Sequence, residues 1–169
     1  MGLHSLEDVL QDQVRDLLSA ETQLVAALPK VADAASSSEL RDAFTEHLEE
    51  TRGHVERLEK VTSILGMDGS AHTCKAMKGL IAEGEEILGE EGDPVAKDAA
   101  IIAAAQRIEH YEIAAYGTAR ALAGELDERD AAKLFGETLD EESAADKLLT
   151  KIATGGLLRS GVNKAAVSR

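Results

Sequence analysis

Carboxylates recur at helical spacing inside a stripe that is otherwise apolar. In QRIEHYEIAAYGTAR, residues 106–120, Glu109, Glu112 and Tyr116 fall three and four residues apart and share one helix face. Ile102, Ala105, Ile113 and Ala119 lie on or beside the same line. A buried carboxylate without a partner costs several kcal/mol, so either the face lies elsewhere or the carboxylates have a buried partner. A metal ion is the obvious candidate.

Three other segments show the same interruption. One stripe reads Leu10, Val14, Leu17, Glu21, Leu24, Leu28. Another runs from Leu40 and Phe44 through His47, Glu50 and His54 to Leu58, Val61 and Leu65. A last one reads Phe135, Thr138, Glu142, Ala145/Asp146, Leu149, Ile152. Hard oxygen donors from four helices, with histidine added, suit two ions of iron or manganese, with open positions for dioxygen or peroxide. In that reading Glu50 and Glu142 bridge the ions and Glu21 and Glu112 are terminal ligands. Glu109 is an extra or mobile ligand, and Asp146 with His47 or His54 completes the set. Tyr116 is a hydrogen-bond partner behind the ligands, and no catalytic group is expected apart from the ligands themselves. His110 and Tyr111 are expected to face away. A slip of one residue would exchange Glu141 for Glu142. The bland alternative is a set of solvent-facing acids on acid-rich helices. That reading suits any one helix, but four interruptions at one depth weigh against it.

The elements that must position these residues are legible from caps and breakers. Ser5, with Asp8 three residues on, starts a first helix, which Pro29 is expected to kink or to end a turn early. Ser36 and Glu39 form a capping box for a second helix ending near Leu65, before Gly66. After a connection through Ser70, a weaker helix over about residues 72–90 carries the chain along the bundle as a crossover. Asp93-Pro94 starts a long helix to about Ala123, and Asp127 caps the last one, closed by Gly155-Gly156. At 1.5 Å per residue, Glu21 and Glu112 lie equally far before their turns, and Glu50 and Glu142 equally far after them. The expectation is an all-α, ferritin-like four-helix bundle over residues 1–154, with a helical crossover between the second and third long helices. Residues 155–169 read as a flexible tail.

Composition agrees. Aromatics make up 2% of 169 residues, and only two prolines occur, which favours helices over strands. A formal charge of −14 argues against nucleic-acid or anionic-membrane partners, where counterion release needs Lys and Arg. With no hydrophobic run of spanning length, no leader and a lone Cys74, read as a small buried apolar residue, a soluble cytoplasmic protein is expected.

The strings LLSAETQLVAALPK, HLEET, CKAMKGLI, DAAIIAAAQRIEHYEIAAYGT and LDEESAADKLLT resemble the YciE/YciF ferritin-like family over about residues 5–153. The resemblance implies a ferritin-like bundle with a helical crossover, often dimeric, an association with bacterial stress responses, and a ferroxidase-type metal site. Glu21, His47, Glu50, Glu109, Glu112, Glu142 and Asp146 lie inside the matching strings, whereas His54 lies just past HLEET.

The leading expectation is therefore a homodimeric di-metal protein that oxidises Fe(II) with dioxygen or peroxide. Its rivals are a non-catalytic dimeric stress or scaffold bundle, with a structural ion or none, and an iron-storage cage.

Overall fold

The computed structural model describes residues 2–67, 72–156 and 159–167. Four long helices carry the fold: α1 (Leu6–Ala34), α2 (Ser38–Ile64), α4 (Pro94–Glu125) and α5 (Arg129–Thr154), with the shorter α3 (Lys75–Gly89) as the crossover. Short turns make α1–α2 and α4–α5 antiparallel hairpins. The hairpins pack with α2 against α5 and α1 against α4, and α3 lies against α1 and α4. No helix among the described residues is long and apolar enough to cross a membrane.

The helix starts at Ser5 and Asp93 form as expected. Ser5 Oγ accepts from Asp8 N–H at 3.1 Å, and Asp93 Oδ1 accepts from Val95 and Ala96 with Pro94 opening α4. Several boundaries depart from the expectation, each for a physical reason. The first helix runs through Pro29 to Ala34, because Leu28 and Ala32 are buried on either side while the proline ring faces solvent. Packing outweighs the lost hydrogen bond. Ser37, not Ser36, caps α2, accepting from Leu40 N–H at 3.4 Å. Ser36 is taken by Asp98 of α4, whose buried carboxylate accepts from Ser36 N, Ser36 Oγ and Ser37 N at 2.8, 2.6 and 2.9 Å. One acid thus ties the α1–α2 turn to the other hairpin. Cys74 caps α3 through its Sγ, so that helix begins three residues after His72.

Gly66, at φ 59°, lets Met67 N–H return to Thr62 O and closes α2. The connection beyond it falls partly on residues 68–71, outside the described residues. Asp127 does not cap α5. It takes φ 57°, a left-handed conformation that Asp tolerates, and lets Glu128 N–H reach Ala123 O to close α4. Glu128 then precedes α5 without a side-chain cap.

Past Gly155, which ends α5 at φ 76°, the chain folds back. Gly155–Gly156 (β1) pairs antiparallel with Arg159–Ser160 (β2), the one departure from an all-α chain among the described residues. α6 (Val162–Val167) packs on α4 and α5. A Cβ on Gly161 would lie 2.3 Å from Gly155 N, so only glycine permits that approach.

Apolar packing divides in two. One cluster joins Leu24, Leu28, Phe44, Ile101, Ile102 and Ile152 near the α1–α2 turn. The other joins Leu10, Val14, Leu17, Leu58, Tyr116 and Phe135 at the far end. Between them lies a polar layer.

Candidate metal centre

Each long helix sends side chains into that layer. α1 contributes Glu21, α2 His47 and His54, α4 Glu109 and Glu112, and α5 Glu142, all of them buried. Each lies three or four positions from an apolar residue on the same face, before it or, for His54, after it at Leu58, so packing of that face carries the polar group inward. The ligand atoms form two groups, each within 4.8 Å: His47, Glu109, Glu112 and Glu142 in one, and Glu21, His54 and Glu142 in the other. Glu142 belongs to both, a position that a bridging carboxylate would occupy.

The histidines are arranged in parallel. His54 Nδ1 faces the layer, 3.0 Å from Glu142 Oε1 and 3.4 Å from Glu21 Oε1, while Nε2 lies 2.9 Å from Glu141 Oε2. The guanidinium of Arg57 grips Glu141 with two nitrogens, at 2.5 and 2.7 Å, and holds its carboxyl below the usual range. An ionised Glu141 only accepts, so a proton stays on Nε2 of His54, and Nδ1 is the nitrogen that would give up its proton to take a metal ion. His47 turns Nε2 inward, 3.4 Å from Glu109 and 3.8 Å from Glu142, with Nδ1 3.4 Å from Glu50 Oε2. Tyr116 donates its hydroxyl to Glu21 Oε1 at 2.5 Å.

The electrostatics show how unfavourable this layer is without a cation. Burial raises the Glu112 carboxyl well above its usual range, and Glu21, Glu142 and Glu109 raise it further. Burial likewise lifts Glu109, and although His47 opposes it, Glu142 and Glu21 help to hold it near 8. Burial raises Glu21 too, against the pull of His54. Burial alone would lower both histidines, but the acids around them carry His47 up to about 9 and His54 up to about 10. Glu21 Oε2, Glu109 Oε2, His54 Nδ1 and both oxygens of Glu112 and Glu142 have no hydrogen-bond partner. Orphaned buried polar atoms of this kind are costly, and a bound cation that displaces the imidazole protons would satisfy them together. The donors are carboxylate and imidazole with no thiolate, a set suited to iron or manganese.

The residues expected from the sequence divide accordingly. Glu21, His47, His54, Glu109, Glu112 and Glu142 converge, and Tyr116 stands behind Glu21. Glu50 does not enter either group: its side chain is 49% exposed and it lies against the outer nitrogen of His47. Asp146 lies outside as well, near Gln106 and His110 at 3.0 and 3.3 Å. Hairpin register decides between neighbours, with Glu142 turned inward and Glu141 turned to Arg57. Tyr111 bonds Asp16 and lies 3.1 Å from Cys74, away from the layer, and His72 completes that cluster 2.9 Å from Asp16. Cys74 is therefore more than an apolar filler. Sequence reasoning missed the Glu141–Arg57 pair. Its only signal is a basic residue three positions after His54, which spacing alone does not connect to α5.

Comparison with known proteins adds the ancestry. A family model described as "Domain of unknown function (DUF892)" matches residues 5–166. The chain is 45% identical over 166 residues to protein YciF of Escherichia coli (strain K12), covering 98% of this chain and all of that protein. The crystal structure of that E. coli stress protein superposes with a TM-score of 0.86, at 46% identity over 88% of this chain and 94% of that one. YcfI of Rhodopseudomonas palustris, described as having a proposed structural role, gives a TM-score of 0.85 at 43% identity, over 89% and 96% of the two chains. A two-domain Anabaena variabilis protein with a ferritin-like domain superposes at 0.60 and 16% identity, over 98% of this chain and 39% of that one, a likeness of fold alone.

Proposed function

The chain belongs to the DUF892 family, and we propose that it oxidises Fe(II) at the buried acidic layer, with dioxygen or peroxide as electron acceptor. The observation that carries the reading is the shared Glu142, set between two ligand groups whose buried acceptors lack partners. Glu21 with His54 would hold one metal ion, His47 with Glu109 and Glu112 would hold a second, and Glu142 would reach both. Glu141 and Glu50 fix the histidines from behind rather than bridging. A pair of Fe(II) ions gives one electron each. With two protons, those electrons reduce dioxygen to hydrogen peroxide, or hydrogen peroxide to two waters.

The kinship with a stress protein supports a role in bacterial stress or iron homeostasis, and the lone cysteine supports a reducing cytoplasmic compartment. The chain acts as a homodimer joined along the outer side of α4. There Ile113, Ala114, Gly117 and Ala121 line a shallow groove with Leu6. Thr118 and Glu125 edge this strip of small and apolar side chains.

A second reading, a structural bundle, draws on the description of YcfI. It leaves the orphaned acceptors uncompensated. Metal analysis of protein purified without chelators separates the two. About two equivalents of iron or manganese per chain, together with Fe(II) oxidation above buffer, is the expected result. No metal after reconstitution would leave the structural bundle as the reading.

A further inference from the structure

Two cavities reach the acidic layer, and they differ in the charges at their mouths. One lies between α1, α3 and α4, walled by Leu24, Leu28, Ile81, Ile101 and Ile108, and it ends at His47 and Glu109. Its outer end carries the exposed Lys30–Glu85 ion pair, 2.9 Å long, between α1 and α3. The other opens between α2 and α5 beside Glu46 and Glu50 and reaches the same His47 and Glu109. Phe44 borders both.

We propose that the apolar cavity under α3 binds dioxygen and delivers it to the His47–Glu109 end of the layer, while iron enters by the acidic mouth. The proposal rests on the ferroxidase reading and names its oxidant. Size and polarity select the occupant. The cavity holds about 50 Å³, and a water molecule needs roughly 10–15 Å³ on the same scale. A diatomic gas fits. A ferrous ion would lose its hydration against hydrocarbon walls, and hydrogen peroxide would leave its hydroxyl groups unpaired there. Dioxygen pays neither penalty. The second cavity, at about 80 Å³, also has walls of Ala, Phe and Leu, but Glu46 and Glu50 at its mouth attract a cation toward His47. Two Fe(II) arriving there and one dioxygen from the apolar side, with two protons from solvent, give two Fe(III) and hydrogen peroxide.

Xenon tests the cavity without any turnover, because dry apolar cavities take up this gas. Xenon-pressurised crystals are expected to show the atom between Leu28, Ile101 and Ala105. Ala105→Leu and, independently, Ala27→Leu line the same space and are expected to abolish that peak. Both variants should raise the KM for dioxygen about fivefold, close to 1 kcal/mol, with the KM for Fe(II) and the peroxide-driven rate unchanged. Glu46→Gln should do the reverse, raising the KM for Fe(II) alone. No xenon in the wild-type cavity would overturn the proposal, as would an unchanged KM for dioxygen in a folded variant that has lost xenon. Xenon bound in a wild type that oxidises no iron would instead overturn the ferroxidase reading while upholding the gas cavity.

Discussion

The two histidines of α2, with ring centroids 6.4 Å apart, stand at two ends of one acidic layer that are built differently. At the His54 end the imidazole is fully buried, its inner nitrogen faces Glu21 and Glu142, and its outer nitrogen meets a carboxylate gripped by Arg57. Tyr116 holds Glu21 from the other side. At the His47 end the outer nitrogen meets a half-exposed Glu50 at a longer distance, and both cavities open there. One end is fixed and closed, and the other is adjustable and accessible. On the proposed reading the contrast assigns a role to each end: the closed end would retain an ion, and the open end would admit what must exchange.

The largest effect is expected where the ends meet. Glu142→Gln removes a charge from both groups, so Fe(II) oxidation should fall about a hundredfold, near 2.7 kcal/mol in barrier terms. The metal-induced rise in melting temperature should vanish with it. An unchanged metal shift would break the idea of a shared carboxylate.

Next comes Glu112, which serves only the open end. Glu112→Gln should slow oxidation about tenfold, or 1.4 kcal/mol, while circular dichroism stays unchanged and a surface control, Glu56→Gln, behaves as wild type. The metal-free protein should respond in the opposite sense. Replacing a buried uncompensated carboxylate with Leu should stabilise it by about 1–3 kcal/mol in denaturant titrations. A loss of stability there would mean that Glu112 is satisfied without a cation.

The closed end is sharpened by Glu141→Gln. Without the charge that orients His54, one of two ions should bind about tenfold more weakly in competition titrations, and the other should bind as before. Equal weakening of both would erase the distinction between the ends.

Acid–base behaviour tests both ends at once. Glu109, near 8, and the histidines, near 9 and 10, hold protons more tightly folded than unfolded. Stability of the metal-free protein should therefore fall as pH rises, from the ordinary carboxylate range through 8 for Glu109 and from the ordinary histidine range through 9–10 for the histidines. A bound divalent ion replaces those protons, so the metal-loaded protein should show a flatter profile in melts at pH 6 and 9. A metal-free melting temperature that climbs between those values would contradict the protonation of the layer.

Much of the fold and part of the site were present in the linear pattern, because periodicity and capping act over three or four residues. The stripe through Leu17, Glu21 and Leu24 determined that Glu21 points inward, and Asp93-Pro94 determined where α4 begins. The same local logic placed Glu109, Glu112, His47 and His54 on inward faces. It failed where a partner distant in sequence competes for a side chain. Ser36 was claimed by Asp98, and Pro29 was carried through a helix by the burial of its neighbours. Glu50 and Glu142 look alike in sequence, yet only the rotation of α2 and α5 against each other left one half-exposed and buried the other completely. Tertiary structure alone also decided that Arg57 meets Glu141, and that α3 covers an apolar cavity ending at His47. The physical reason is range. Helix faces are set by backbone geometry within a turn, whereas depth, pairing and cavities depend on how separate helices settle against one another.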